Sequence, residues 1–483
     1  MHTFEFLANQ FLEEAVRELI RQQALPLRPN RPHINVGDDY VGPPIMGLST
    51  FKAFEQHLLA NYPLKFSDTL QIQTREFPNN YIFNFLEAAV NFSYSTLKPD
   101  ILDSRVVKKV TEELLAILDG DLVEIQALRL LSNITPTQPV LDFGTVRLLA
   151  VGTDTLERNS IAIREIPGAS RILSQNRRFV YDPPHAWLTT SVKTSTEAID
   201  SARSLISADL SQFQTALCLY KGATVNPHFE VTGAKSIFSP SPVRVDDFLI
   251  APMGNIMKRS LEVDQDDIKP VNQIATWLSK LKSESKEVLA TPIGIAISKF
   301  NGASSFSNGF ERIIDLMTAL EALLLGDNGN ESIGLRLKTR AGLLLQTGND
   351  PATTIAKDLY TLYSIRSILV HGSTLREQKL GGMLGKISSV AKQAEYAGRL
   401  GIQLDLAADR LRDLVRRALL MRLALNAATE SPWTLYTDPN LDQLALDPML
   451  VDTLNNSWRK ILEEIGATNS IREAPAARLF LSE

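Results

Sequence analysis

The chain has one cysteine, Cys218, among its 483 residues. A single thiol cannot close an internal disulfide or build a cysteine-based zinc cluster. That suits a reducing compartment, and the cytoplasm is the expected location. No apolar run reaches the roughly 18 residues that a membrane-spanning helix needs, so no membrane partner is expected. The first 21 residues lack both the basic start and the unbroken apolar stretch of a signal peptide. Phe4, Leu7, Phe11, Ala15 and Leu19 instead fall at helical spacing, interrupted by Glu13, Glu14 and Glu18, which predicts an amphipathic docking helix. Histidine is also scarce. Five of the six (His2, His33, His57, His185 and His228) precede residue 286, and none stands at metal-ligand spacing from another. They read as non-catalytic. No phosphate-binding glycine loop, paired catalytic carboxylates or serine elbow occurs in that region. No metal or cofactor is implied.

What is present is ordinary in bulk and uneven in detail. Hydrophobic residues make up 44% and charged residues 22%, as in a soluble globular protein, and the length points to two to four domains. The net charge is −5, yet residues 286–428 carry 18 Lys+Arg against 13 Asp+Glu, or +5. The remainder carries 32 against 42, or −10. A modestly basic region inside an acidic chain is compatible with a nucleic-acid contact, and equally with ordinary scatter of charge.

The expected fold is multidomain and mainly α, in four regions. Residues 1–120 form a mostly helical region, with a linker at Leu25–Pro44 that contains five prolines. Helical patterns here include Asn84–Phe92 and Val107–Leu118. Residues 121–285 read as an α+β domain with a sensing or regulatory role. The runs Val146–Val151, His185–Val192 and Ala216–Tyr220 are predicted strands, and Ile199–Phe213 a helix between two of them. In residues 286–428 the runs Glu287–Phe300, Phe310–Leu325, Glu331–Leu345 and Thr354–Val370 are helical, followed by a largely helical stretch from Leu384 to Ala427. The intervening breaks, the last of them Gly372 to Gly382, are short, which predicts antiparallel neighbours and hence a bundle. Residues 429–483 form an acidic tail, four basic side chains against nine acidic, with one helix around Val451–Ile465.

Two bundle helices each carry a charge in apolar surroundings. Glu321 sits in the run Leu316–Leu325, and Arg366 is the only permanent charge of Leu359–His371. On a helix Arg366 is flanked by Leu362, Tyr363, Leu369 and Val370. A desolvated guanidinium needs a partner, and Glu321 or a phosphate could supply one. His371 lies five residues beyond Arg366, about 140° away on an ideal helix. The two can reach a common site if the helix ends at His371 with Gly372 as its left-handed cap. A helix C-terminus also favours imidazolium. A capping histidine beside a structural Arg–Glu pair accounts for the spacing too. Arg336 and Arg340, at i and i+4, share a face and can contact RNA backbone or pair with Glu331 and other acids. Arg410, Arg412, Arg416 and Arg417, interleaved with Asp409 and Asp413, read as a solvated helix face.

Several stretches are similar to one known family. They are Ile297–Ala303, Asp315–Leu324, the segment from Glu331-Ser332 to Arg336 and Arg340, and Leu362–Gly372 with its Tyr-x-x-Arg-Ser-x-x-Val-His-Gly ending. In order and spacing they resemble the Apea-like HEPN family, over roughly residues 286–428. The resemblance implies an all-α bundle, usually dimeric, with the Arg-x4-His pairs of two subunits meeting at the interface. It implies metal-independent endoribonuclease activity in bacterial anti-phage defence, with a phage-derived trigger and RNA, tRNA included, as the partner. His371 would then move the proton of the 2′-hydroxyl or of the leaving oxygen, and Arg366 would stabilise phosphate charge beside Glu321. Arg336, Arg340, Tyr363 and Ser367 would contact substrate. Ser367 departs from the Asn, Asp or His that follows the arginine in many active HEPN nucleases. A non-catalytic HEPN module for dimerisation or binding is the alternative.

Overall fold

A computed structural model describes residues 2–22, 42–62, 78–93, 102–151, 166, 185–222, 225–235, 243–247, 257–258, 261–284, 291–303, 308–325, 332–370, 377–427, 447–467 and 479–480. Helices dominate, with one small antiparallel sheet. Helix α1 (His2–Arg21) buries Phe4, Phe11, Ala15 and Leu19, the stripe expected from its spacing. It packs on α3 (Ser49–Asn61) through edge-on contacts of Phe4 with Phe54 and Phe11 with Phe51. Between them lies the short α2 (Gly42–Met46), so Pro43 and Pro44, expected in the linker, begin a helical turn. Proline fits there because the first turn needs no amide donors. Helices α4 (Pro78–Ser93) and α5 (Ser104–Leu118) complete this region. Asp103 caps α5 by accepting from the Arg105 amide at 2.9 Å.

The sheet starts at Val123, close to the expected start of the α+β region at residue 121. Its strands are β1 (Val123–Ser132), β3 (Val140–Asp142), β4 (Arg147–Ala150), β5 (His185–Thr194), β6 (Asn226–Ala234) and β7 (Arg244–Asp247), in the order β3-β4-β5-β1-β6-β7. Strand β2 (Ile134–Pro136) pairs in parallel with β9 (Leu261–Val263), and β8 (Met257–Lys258) pairs with β10 (Leu479–Phe480). β1 is central, paired antiparallel with β5 and β6. Its alternate residues split between two cores. Ile125, Ala127 and Leu131 join the main core, and Leu128 and Leu130 join a smaller one with Trp187 and Phe229. Val123–Ala127 alternate apolar and polar residues, yet the strand is buried on both faces from Ile125 onward.

The expectation of a strand at Ala216–Tyr220 is corrected. These residues are the last turns of α6 (Ile199–Lys221), and all five are buried. A short continuous apolar run reads the same as a buried strand or a buried helix, and here Gly222, at φ 69°, sets the helix end. Arg129 of β1 reaches α6 from inside the sheet. It donates to Glu230 at 2.6 Å and to Ser211 at 2.9 Å, so a guanidinium 1% exposed is neutralised where sheet meets helix.

After α7 (Ile268–Glu284) the bundle begins at α8 (Pro292–Gly302), capped by Thr291 and opened by Pro292. The expected helical residues Glu287 to Ala290 lie outside the described residues. Then follow α9 (Gly309–Leu325), α10 (Ile333–Leu345), α11 (Ala352–Val370), α12 (Glu377–Leu384), the short α13 (Ser388–Ala391) and α14 (Leu400–Ala427). Among the described residues of 291–427 no named strand occurs; Thr347 and Asp350 form one isolated bridge. α14 runs through the middle, packing against α8, α9, α10 and α11 on the bundle side and α6 and α7 on the other. α15 (Pro448–Glu464), from the acidic tail, seats Trp458 at 0% exposure against it. One continuous buried core extends from Phe4 to Ala467.

Candidate functional site

Glu321 is four residues from the end of α9, between the buried Leu320, Leu323 and Leu324. Arg366 is four residues from the end of α11, whose buried face carries Leu359, Leu362 and Ile365. α9 packs against α11, and the two charges meet there, Nη2 to Oε2 at 3.6 Å. That is an ion contact too long for a hydrogen bond. The side chains keep 25% and 20% of their surface, so the pair opens to solvent. Arg366 Nε and Glu321 Oε1 are buried and have no hydrogen-bond partner among the described residues. Burial pushes the Glu321 carboxyl above its ordinary value, and the attraction of Arg366 only partly offsets this.

The other buried arginines of the bundle are each paired with a carboxylate or a carbonyl, although Arg412 and Arg417 also leave a buried Nε without a hydrogen-bond partner among the described residues. Arg410 forms a fork on Asp350 at 2.6 and 2.8 Å and reaches Asp358 at 2.8 Å. Arg417 joins Asp350 at 2.8 Å and Asp413 at 2.6 Å, and Arg416 joins Asp413 at 2.7 Å. Arg312 bridges Asp405 and Asp409. The expectation of a solvated face at 410–417 is thus corrected: Arg412, Arg416 and Arg417 are 5%, 2% and 1% exposed. At about 100° per residue these arginines fall on several sides of α14, so they never shared one face. Most of their remaining donors close helix ends. Arg416 donates to the carbonyl of Leu219, Arg412 to Phe300, Arg422 to Leu323 and Arg417 to Leu345. Those carbonyls lie in the last turns of α6, α8, α9 and α10, where backbone acceptors lack intrahelical partners and the dipole favours a cation.

Arg340 belongs to the same scheme. It is 4% exposed and donates to the carbonyls of Leu324 and Leu325 at the end of α9. The expectation that it contacts RNA backbone is corrected, because its donors are spent inside the bundle. Arg336 is half-buried on the preceding turn. Tyr363 is half-buried and its ring packs on Gly334 of α10; a Cβ there would sit 3.3 Å from the ring carbons. Ser367 is half-buried beside Arg366 on α11. His371 and Gly372, as well as Glu331, lie outside the described residues, so the proposed Arg366–His371 convergence is a reading of sequence alone. Of the five other histidines, His33 and the side chains of His2 and His185 lie outside the described residues, and the His57 ring lies 5.9 Å from that of Phe4. Among the described residues no three His, Cys, Asp or Glu side chains are grouped so as to hold a metal ion, and no helix is long and apolar enough to cross a membrane.

Comparison with protein-family models, curated proteins and solved structures finds no match. The site therefore rests on its own geometry and on the residues that carry the family resemblance. One feature of it escaped the sequence reading. Tyr360, one turn before Ser364 on α11, is 64% exposed, and the ammonium of Lys338 on α10 lies 5.2 Å from its ring centre. An aromatic residue on the polar side of a helix, in register with Ser364 and Ser367, was the available signal.

Proposed function

We propose that this chain is a metal-independent endoribonuclease of the HEPN type, with residues 286–428 as its catalytic bundle. The observation that carries the reading is the state of Arg366. In a bundle whose buried arginines are matched to carboxylates and carbonyls, Arg366 makes one loose ion contact and opens to solvent. A guanidinium so held can accept a phosphate with its planar fork. Glu321, disfavoured as an anion, holds it loosely and does not neutralise it as Asp350 neutralises Arg410.

In this reading RNA's own 2′-hydroxyl attacks the adjacent phosphorus, and the 5′-oxygen leaves to give a 2′,3′-cyclic phosphate. His371, at the end of the same helix in sequence, moves the proton of the attacking or leaving oxygen. Arg366 stabilises the charge that grows on the phosphate. Tyr363 and Ser367 flank it on α11. We place the active form as a homodimer joined at the end of α11, where Ile368 and Leu369 are half-buried and Val370 is 51% exposed. A cytoplasmic role in anti-phage defence, with the N-terminal 285 residues sensing the trigger, follows from the family resemblance. The test is incubation of the purified chain with total RNA and with tRNA, with and without EDTA, and end-group analysis of the products. Cyclic phosphate ends formed in EDTA are expected. Intact RNA under all conditions favours the binding-module alternative instead.

A further inference from the structure

We propose that Tyr360 and Lys338 form a base-stacking subsite for single-stranded RNA, an extension that rests on the phosphate-binding role of Arg366. A singly exposed aromatic ring is common at a protein surface, so what singles this one out is the cation on its face. Tyr360 is 64% exposed, yet the Lys338 ammonium, 5.2 Å from the ring centre, holds one side of it. A ring restrained before binding loses less freedom when a flat ligand stacks on its open side. Every nucleobase offers such a flat face, and stacking on an aromatic side chain beside basic groups is how sequence-tolerant single-strand binding works.

The charge around the ring points the same way. Helix α10 carries the half-buried Arg336 and Lys338 and no acidic residue, its third basic side chain, Arg340, being buried in the bundle. On α11, Lys357 is exposed one turn before Tyr360. The single acid of α11, Asp358, is 1% exposed and engaged by Arg410 and Ser388, so it adds little negative potential outside. In a chain of net charge −5 this helix pair presents a local positive surface around an exposed ring. Tyr360 precedes Arg366 by six residues, about 9 Å along the helix axis. The two side chains leave α11 about 120° apart, so a strand whose phosphate meets Arg366 reaches Tyr360 by passing around the helix. Stacking needs an unpaired base, so duplex RNA should be excluded from this subsite.

The test is fluorescence anisotropy of the full chain with labelled single-stranded RNA, and with inorganic polyphosphate as a polyanion without bases. Tyr360→Ala should weaken RNA binding about tenfold and leave polyphosphate binding unchanged, while Tyr360→Phe should bind both as the wild type does. Equal weakening toward RNA and polyphosphate, or wild-type RNA affinity in Tyr360→Ala, overturns the subsite. If Arg366→Ala loses RNA binding while Tyr360→Ala keeps it, the subsite falls and the nuclease reading stands. If RNA is bound, weakened by Tyr360→Ala and never cut, the nuclease reading falls and the subsite stands. Sedimentation of the same variants covers the remaining case. An oligomer that Tyr360→Ala dissociates, with RNA affinity intact, assigns the ring to a contact between copies and overturns the proposal.

Discussion

Arg366 and Asp413-bound Arg416 carry the same side chain in the same bundle and have opposite fates. Arg416 is held at 2.7 Å by a buried carboxylate, and Arg366 touches Glu321 at 3.6 Å beside solvent. Losing Arg366 should therefore cost little stability. Arg366→Ala is expected to lower it by about 1 kcal/mol or less, as for an exposed pair, measured by urea unfolding. RNA cleavage should fall by about 10²–10³ because charge stabilisation is lost, and Arg366→Lys should restore stability more than activity. His371→Ala should reduce the rate by about 10²–10⁴ with an unchanged melting temperature, and wild-type cleavage by that variant sinks the mechanism. Glu321 predicts a pH effect of definite sign. Its folded-state carboxyl is shifted up, so between the unfolded and folded values the native state binds more protons. Stability contributed by the protonated form is lost as pH rises through the folded value. Glu321→Gln should flatten that slope in unfolding curves taken across the carboxylate range; an unaltered slope removes Glu321 as its source.

Helix α14 shows how one element serves several others. Its arginines close the carbonyl ends of α6, α8, α9 and α10, and its Asp413 links Arg416 to Arg417. Burial pushes the Asp413 carboxyl up, but Arg417, Arg416 and Arg410 outweigh it and hold the group below its ordinary value. A depressed folded-state value gives stability that is present above the ordinary carboxylate range and lost as pH falls through the folded value. Asp413→Asn strips the buried Arg416 of its carboxylate and leaves Arg417 with Asp350 alone, and is expected to destabilise by about 3–5 kcal/mol, with the acid sensitivity reduced. A loss below about 1 kcal/mol, the range of exposed pairs, would show that the cluster is not the structural hub its distances indicate. The sequence contained a sign of this hub. Arg410, Arg412, Arg416, Arg417 and Arg422 point to all sides of a helix, and a solvated helix collects its charges on one side.

For the molecule as a whole, the proposed assembly is the part open to the simplest measurement. Sedimentation of the full chain at tens of micromolar should give a dimer or higher even oligomer, and Val370→Glu should dissociate it; a monomeric wild type refutes the interface. The fold was legible where one face of an element is buried and the other wet. The stripe Phe4–Leu19 and helices α9 to α11 follow from periodicity, because water imposes the pattern. It was illegible where both faces are covered. The end of α6 at Ala216–Tyr220 shows no period because no side of it faces water. The sequence by itself determined that Glu321 and Arg366 stand in apolar surroundings on two helices and so invite pairing. Only the tertiary structure decided which arginines are spent and which is not. That depends on where the carbonyl ends of other helices and the carboxylates Asp350, Asp358 and Asp413 arrive, and those positions are set by packing between segments far apart in the chain.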